Sequence, residues 1–140
     1  KKISTYMQKL YIVTRNDLPI SYQAVQSTHA AVDYVFKYQK SLKKWHKSSN
    51  VIILLAVKNK TTLIKFIKKI RKLNVKYVAF KEPDLKNQIT AVALEPSEKT
   101  QKLCKNLHTA LKPPNKGGLK AKEMNELDER FRRFKQKNSP

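Results

Sequence analysis

Residues Val51-Ile52-Ile53-Leu54-Leu55-Ala56-Val57 are apolar without interruption. A strand with one wet face alternates apolar and polar residues, so a continuous run predicts a strand buried on both faces. Such a strand needs helices above and below it. This run constrains the chain to a layered α/β architecture, and the remaining segments supply the layers.

Leu10-Tyr11-Ile12-Val13 predicts a first strand, broken by Asn16-Asp17-Leu18-Pro19. Ser21 is a plausible N-cap for the helix that follows, in which Val25, His29, Val32 and Phe36 recur at helical spacing and predict one buried stripe. Ser41 to Asn50 reads as a basic linker carrying Trp45 and His46. After the apolar run, Thr61 or Thr62 can cap a helix with Leu63, Phe66, Ile67, Ile70 and Leu73 on one face. Lys65, Lys68, Lys69 and Lys72 occupy the other face. Like charges at these spacings disfavour an isolated helix, so packing or a bound anion must compensate. Tyr77-Val78-Ala79-Phe80 and Ile89 to Leu94 predict two more strands that pair as a hairpin. Pro96 and Ser97 open a helix with Thr100, Leu103, Cys104, Leu107 and Leu111 on its apolar face. The order is βαβαββα, a mixed four-stranded sheet covered by helices on both faces.

Residues 1–111 read as this domain. Residues 112–118, with Pro113-Pro114 and Gly117-Gly118, read as a linker. Residues 119–140 read as an amphipathic helix, with Met124, Leu127, Phe131 and Phe134 at helical spacing, and a basic tail. That helix either docks on a partner or packs back on its own domain.

Thirty-one Lys and Arg stand against ten Asp and Glu, a formal net charge of +21. Self-repulsion of that size points to a polyanionic partner, nucleic acid or an anionic membrane. The mixed charges Glu123, Glu126, Asp128 and Glu129 on the C-terminal segment argue against anionic lipid. No apolar run reaches the roughly 20 residues of a membrane span, and the first residues do not read as a secretory signal. Cys104 is the single cysteine, which excludes an internal disulfide framework and suits a reducing compartment, cytoplasmic or mitochondrial. One cysteine and the scattered His29, His46 and His108 offer no metal site, and no cofactor is expected.

Tyr11-Ile12-Val13-Thr14-Arg15-Asn16-Asp17-Leu18, followed by Gln26-Ser27-Thr28-His29-Ala30-Ala31, resembles the opening of the type II peptidyl-tRNA hydrolases of archaea and eukaryotes. That family begins with a strand ending Arg-x-Asp-Leu, then a helix carrying Gln-x-x-His-Ala. The resemblance spans roughly residues 9 to 111 and implies the same mixed four-stranded fold. Typical members place Gly-Lys-Gly-Lys between the two motifs, and the later lysine is tied to activity. Here the segment is Pro19-Ile20-Ser21-Tyr22-Gln23, with Tyr22 near the lysine position. The family's Asp-Ala-Gly-x-Thr loop is replaced by Glu82-Pro83-Asp84-Leu85-Lys86-Asn87-Gln88, which is more similar to the divergent peptidyl-tRNA hydrolase domain-containing branch.

The resemblance implies hydrolysis of the ester between a peptide and the terminal ribose of tRNA. That reaction needs a positioned water, a base and oxyanion donors. The family pattern offers His29 as base, Asp17 or Asp84 as its orienting carboxylate, and Gln26 or Thr90 as donors. Each has a plainer reading: a packed histidine, turn-capping aspartates, an ordinary helix-surface amide. Cys104, on a core face, has no expected role. RNA contacts fall to Arg15, Lys43, Lys44, Lys47, Lys65, Lys68, Lys69, Lys72, Arg130, Arg132 and Arg133, which neutralise phosphates. Tyr22 can stack on a base or cover the helix end, and Trp45 can stack on a base or, equally, anchor the core or a hinge. The two functional readings are a peptidyl-tRNA hydrolase, and a non-catalytic binder of tRNA or rRNA on the same fold, attached to the ribosome or another ribonucleoprotein. A homodimer is compatible with either.

Overall fold

The computed structural model describes residues 6–112. The linker beyond 112 and the amphipathic tail therefore lie outside the described residues. Strand β1 is Lys9–Arg15, β2 Val51–Val57, β3 Tyr77–Glu82 and β4 Gln88–Leu94. Helix α1 is Ile20–Lys37, α3 Lys60–Lys72 and α4 Glu98–Leu103. The segment read as a linker instead holds a 3₁₀ turn, Lys40–Leu42, and a short helix α2, Lys43–Lys47. A fifth, two-residue strand β5, His108–Thr109, extends the sheet to the order β3-β4-β1-β2-β5.

The sheet is mixed, as expected. β1 and β2 run parallel, while β3 and β4 form an antiparallel hairpin and β4 returns antiparallel beside β1. β5 pairs antiparallel with the last part of β2. The predicted last helix is shorter than its periodicity suggested. It ends at Leu103, so Leu107 and Leu111 leave the helix and feed the turn and strand that follow.

Both faces carry a core. On one, α3 packs Leu63, Phe66, Ile67 and Ile70 against Tyr11, Val13, Leu55 and Val92. On the other, α1 sets Ala30 and Tyr34 against Leu10, Ile12, Ala91 and Ala93, with Leu42 and Trp45 joining from the turn and α2. The apolar run of β2 is buried only at Leu55, Ala56 and Val57; Ile52 is 55% exposed. The reason is placement: α1 lies over β1, β3 and β4 and leaves the same face of β2 partly open.

Three local expectations change. Pro19, not Ser21, occupies the N-cap of α1 and makes no side-chain cap, so Ser21 falls inside the helix. Asn59, not Thr61 or Thr62, caps α3, and its carboxamide oxygen accepts from the Thr62 N–H at 2.9 Å. Ser97 does cap α4, accepting from the Thr100 N–H.

The largest reversal is in α1. The predicted stripe of Val25, His29, Val32 and Phe36 faces outward, and Phe36 is 83% exposed. The buried face carries Gln23, Gln26, Ser27, Ala30 and Tyr34. Burying amides is costly unless each finds partners. Here they do: Gln23 donates to the Leu18 and Lys112 carbonyls and accepts from the Leu111 N–H. Ser27 donates to the Gln23 carbonyl.

Candidate functional site

β1 and β2 are parallel neighbours, yet the chain leaves them toward opposite faces, into α1 and into α3. In open α/β sheets, the carboxyl ends of strands that diverge in this way are where ligands bind. The candidate catalytic residues collect at that end of the sheet, at the end of β1, the first turns of α1, the end of β3 and the start of β4.

Arg15 anchors this end of the sheet. Its guanidinium is only 2% exposed and makes a bidentate pair with Asp17, Nε to Oδ1 at 2.9 Å and Nη2 to Oδ2 at 2.7 Å. Nη1 also donates to Gln88 Oε1 and to the Ile89 carbonyl. Fork-to-carboxylate geometry of this kind fixes the loop after β1 onto the start of β4. Arg15, expected at a phosphate, is buried in this structure and braces the loop against β4. Asp17 orients Arg15, since both its carboxylate oxygens accept from that side chain.

A second network lies under α1. Thr90 is fully buried and donates its hydroxyl to Gln26 Oε1 at 2.6 Å. Gln26, 2% exposed, passes the interaction on through Nε2 to Glu82 Oε1 at 2.9 Å. Thr14 donates to the Thr90 carbonyl and pins that strand. Thr90 and Gln26 thus serve as a buried relay that aims a carboxylate. Thr90, which the family pattern offered as an oxyanion donor, has its hydroxyl proton engaged with Gln26 in this structure.

His29 lies one turn beyond Gln26 on the exposed side of α1. Its ring stacks on Phe80 with centroids 4.4 Å apart and planes 10° from parallel. It is accordingly not the packed core histidine that its apolar neighbours suggested. Phe80 and Glu82 come from the same strand, so His29 and the oriented Glu82 carboxylate border one surface between α1 and β3. Asp84 sits exposed in the following 3₁₀ turn, where its N–H donates to Glu82 Oε2 at 3.5 Å. Lys86 and Asn87 then close the loop with left-handed backbone, φ 53° and 60°. Leu85 is carried into a small cluster with Leu18, against which the half-buried Tyr22 packs.

Sequence reasoning missed Glu82, Gln88 and Phe80. The only local signal for Glu82 is its position before Pro83 at the strand end. Gln88 and Phe80 gain their meaning from Arg15 and His29, far away in sequence.

The basic candidates divide. Lys43, Lys44 and Lys47 are exposed on α2, on the α1 side of the sheet. Lys65, Lys68, Lys69 and Lys72 are exposed on α3, on the opposite side. Trp45 is 8% exposed, and its indole N–H donates to the Val51 carbonyl at 2.8 Å. It anchors α2 to β2, the second of the two roles expected of it. Arg130, Arg132 and Arg133 lie outside the described residues. Cys104 is buried, and burial pushes its thiol up to about 12, as befits an inert core side chain. Among the described residues, no helix is long and apolar enough to cross a membrane.

Comparison with known proteins adds one finding. The chain matches the family Peptidyl-tRNA hydrolase PTH2 over residues 8–111, which takes in every described strand and helix. No curated protein gives a significant match. The chain belongs to the peptidyl-tRNA hydrolase PTH2 family.

Proposed function

We propose that this member of the peptidyl-tRNA hydrolase family binds peptidyl-tRNA and hydrolyses the ester that joins the peptide to the terminal ribose. The observation that carries this reading is the Thr90–Gln26–Glu82 relay beside His29. A buried hydroxyl and amide are engaged in aiming one carboxylate at the surface where an imidazole stands. Core packing alone does not call for such an arrangement, since each buried polar group costs stability unless fully satisfied.

In this reading His29 takes the proton from the attacking water, and Glu82 stabilises the imidazolium that forms. Gln26, itself buried, holds the Glu82 carboxylate in place through its amide N–H. Phe80 fixes the plane of the imidazole. Arg15 and Asp17 hold the loop in register and touch no substrate. The lysines of α2 and α3 meet phosphates on either side of the sheet, which suits a substrate much larger than the site itself.

A second reading, RNA binding without hydrolysis, is favoured by one specific observation. No lysine lies between Asp17 and Lys37, and Asp17 is committed to Arg15. The two are separated by the rate of peptide release from a defined peptidyl-tRNA. Under the hydrolase reading, His29→Ala lowers kcat/KM by about 100-fold or more, the usual worth of a positioned base. Glu82→Gln lowers it as well, with tRNA affinity retained. Rates for both variants equal to wild type would remove these residues from the chemistry.

A further inference from the structure

The far end of β3 carries a charged cavity that the hydrolase reading leaves unused. Tyr77 pairs with Leu94 and Glu82 with Gln88, so Tyr77 lies at the end of β3 away from Glu82. The steps between these two residues span roughly 17 Å of strand. β3 is an edge strand, and the ends of α1 and α3 meet beside its start. There a cavity of about 530 Å³ is lined by Lys37 and Tyr38 from the end of α1, Arg71 from the end of α3, and Lys76 and Tyr77.

The three cations are held in place without being neutralised. Arg71 donates from Nε to the Tyr77 hydroxyl at 2.6 Å, and its Cζ lies 5.9 Å from the centre of the Tyr77 ring. Among the described residues, its Nη1 and Nη2 have no acceptor. Those two groups form the fork that takes two oxygens of one phosphate. The Lys37 and Lys76 ammonium groups stand 5.4 Å and 5.7 Å from the centre of the Tyr38 ring. An aromatic ring attracts an ammonium through its quadrupole and leaves its charge intact.

Two carboxylates lie near. Glu95 Oε1 accepts from the Lys76 backbone N–H at 2.6 Å, and Asp33 precedes Lys37 by one turn of α1. Among the described residues, neither forms a salt bridge with Lys37, Arg71 or Lys76. The carbonyl ends of α1 and α3 add about half a negative charge each. Lys72 stands in the last turn of α3, and Lys99 donates to the Leu73 carbonyl at its end. With these two lysines counted, five cations face two carboxylates and two half-charges, so positive charge is left over.

Continuity selects the anion. Arg71 follows Lys68 by three residues, which makes them neighbours on the surface of α3. The cavity therefore prolongs the row of Lys65, Lys68, Lys69 and Lys72. A small anion would use the cavity alone, whereas a phosphodiester strand uses the row as well. We propose that the cavity binds a backbone phosphate of the RNA in the fork of Arg71, with the Lys37 and Lys76 ammonium groups beside it. The inference rests on the RNA-binding part of the function proposed above and not on hydrolysis.

tRNA affinity of the full chain, measured by fluorescence anisotropy across salt, tests this without turnover. Lys37→Gln/Arg71→Gln/Lys76→Gln is compared with Lys60→Gln/Lys102→Gln/Lys105→Gln, which removes the same charge from exposed positions elsewhere. The cavity variant should bind at least about tenfold more weakly than this control, and its log–log salt slope should fall by about 0.7–0.9 for each phosphate no longer met. Arg71→Lys keeps the charge and loses the fork, and should weaken binding about tenfold, the worth of one charge-assisted hydrogen bond. Equal losses in the two triple variants, with wild type bound, overturn this inference alone. Wild-type affinity in Arg71→Lys overturns it too. Inorganic phosphate that shifts the amide signals of Lys76 and Tyr77, with tRNA affinity unchanged in the cavity variant, assigns the cavity to a small anion and likewise overturns it. A wild-type protein that binds no tRNA overturns this inference and the RNA reading together.

Discussion

Replacing Asp17 with alanine separates a brace from a catalyst. Arg15 is 2% exposed and Asp17 13% exposed, so the substitution leaves a guanidinium buried with only the neutral partners Gln88 and Ile89. Breaking a buried pair from one side costs about 3–5 kcal/mol. The small opening at Asp17 lets some water reach the orphaned charge, which places Asp17→Ala near 3 kcal/mol, at the low end of that range. For a domain of this size that is a fall of about 10 °C in Tm. Urea unfolding of wild type, Asp17→Ala, Arg15→Met and the double variant closes a double-mutant cycle. The double variant should be more stable than Asp17→Ala, because it removes the charge together with its partner. A loss below about 0.5 kcal/mol for Asp17→Ala, the range of ordinary surface changes, would refute the brace. Joined to a large loss of hydrolysis, it would return Asp17 to the chemistry.

Gln26→Ala removes both the acceptor of Thr90 and the donor of Glu82, and should cost about 1–3 kcal/mol in urea unfolding beyond its effect on activity. Trp45→Phe should leave RNA affinity unchanged, while Trp45→Ala should cost about 3–5 kcal/mol, as for other core truncations of tryptophan. Charge reversal at Lys65, Lys68, Lys69 and Lys72 should weaken tRNA binding and flatten its salt dependence by about 0.7–0.9 in log–log slope for each phosphate no longer neutralised. An unchanged slope would move the RNA surface to the α2 side. Burial raises the Cys104 thiol from its ordinary 9.0 to about 12, so the folded state holds this proton more tightly than the unfolded chain. Its contribution to stability is therefore whole below pH 9 and lost as pH climbs toward 12. Thiol labelling of native protein at pH 8 should follow global unfolding, and rapid labelling would contradict the burial.

The strands were legible because their signals are local. Apolar runs bounded by Asn16-Asp17, Asn50 and Pro96 mark β1, β2 and β4 without knowledge of anything distant. The two faces of α1 were not. Periodicity ranks residues by apolarity, and Gln23 and Gln26 go inside only because Leu18, Lys112, Thr90 and Glu82 wait there with partners. The same limit hid the role of Arg15. Its neighbour Asp17 is visible in the sequence, but Gln88, the partner that turns the pair into a cross-brace, lies 73 residues away. His29 and Gln26 were found through the family pattern, and Glu82 was missed because that pattern places an aspartate loop there. A two-residue strand such as β5 carries too little sequence to announce itself.

Hydrolysis is tested most directly by single-turnover release of the peptide from a defined N-blocked peptidyl-tRNA by the pure protein, with tRNA binding measured in the same buffer. The predicted result is release well above the spontaneous rate, rising with enzyme to saturation and lost in His29→Ala. Tight tRNA binding with release at the spontaneous rate would contradict it and leave a binding protein on a hydrolase fold.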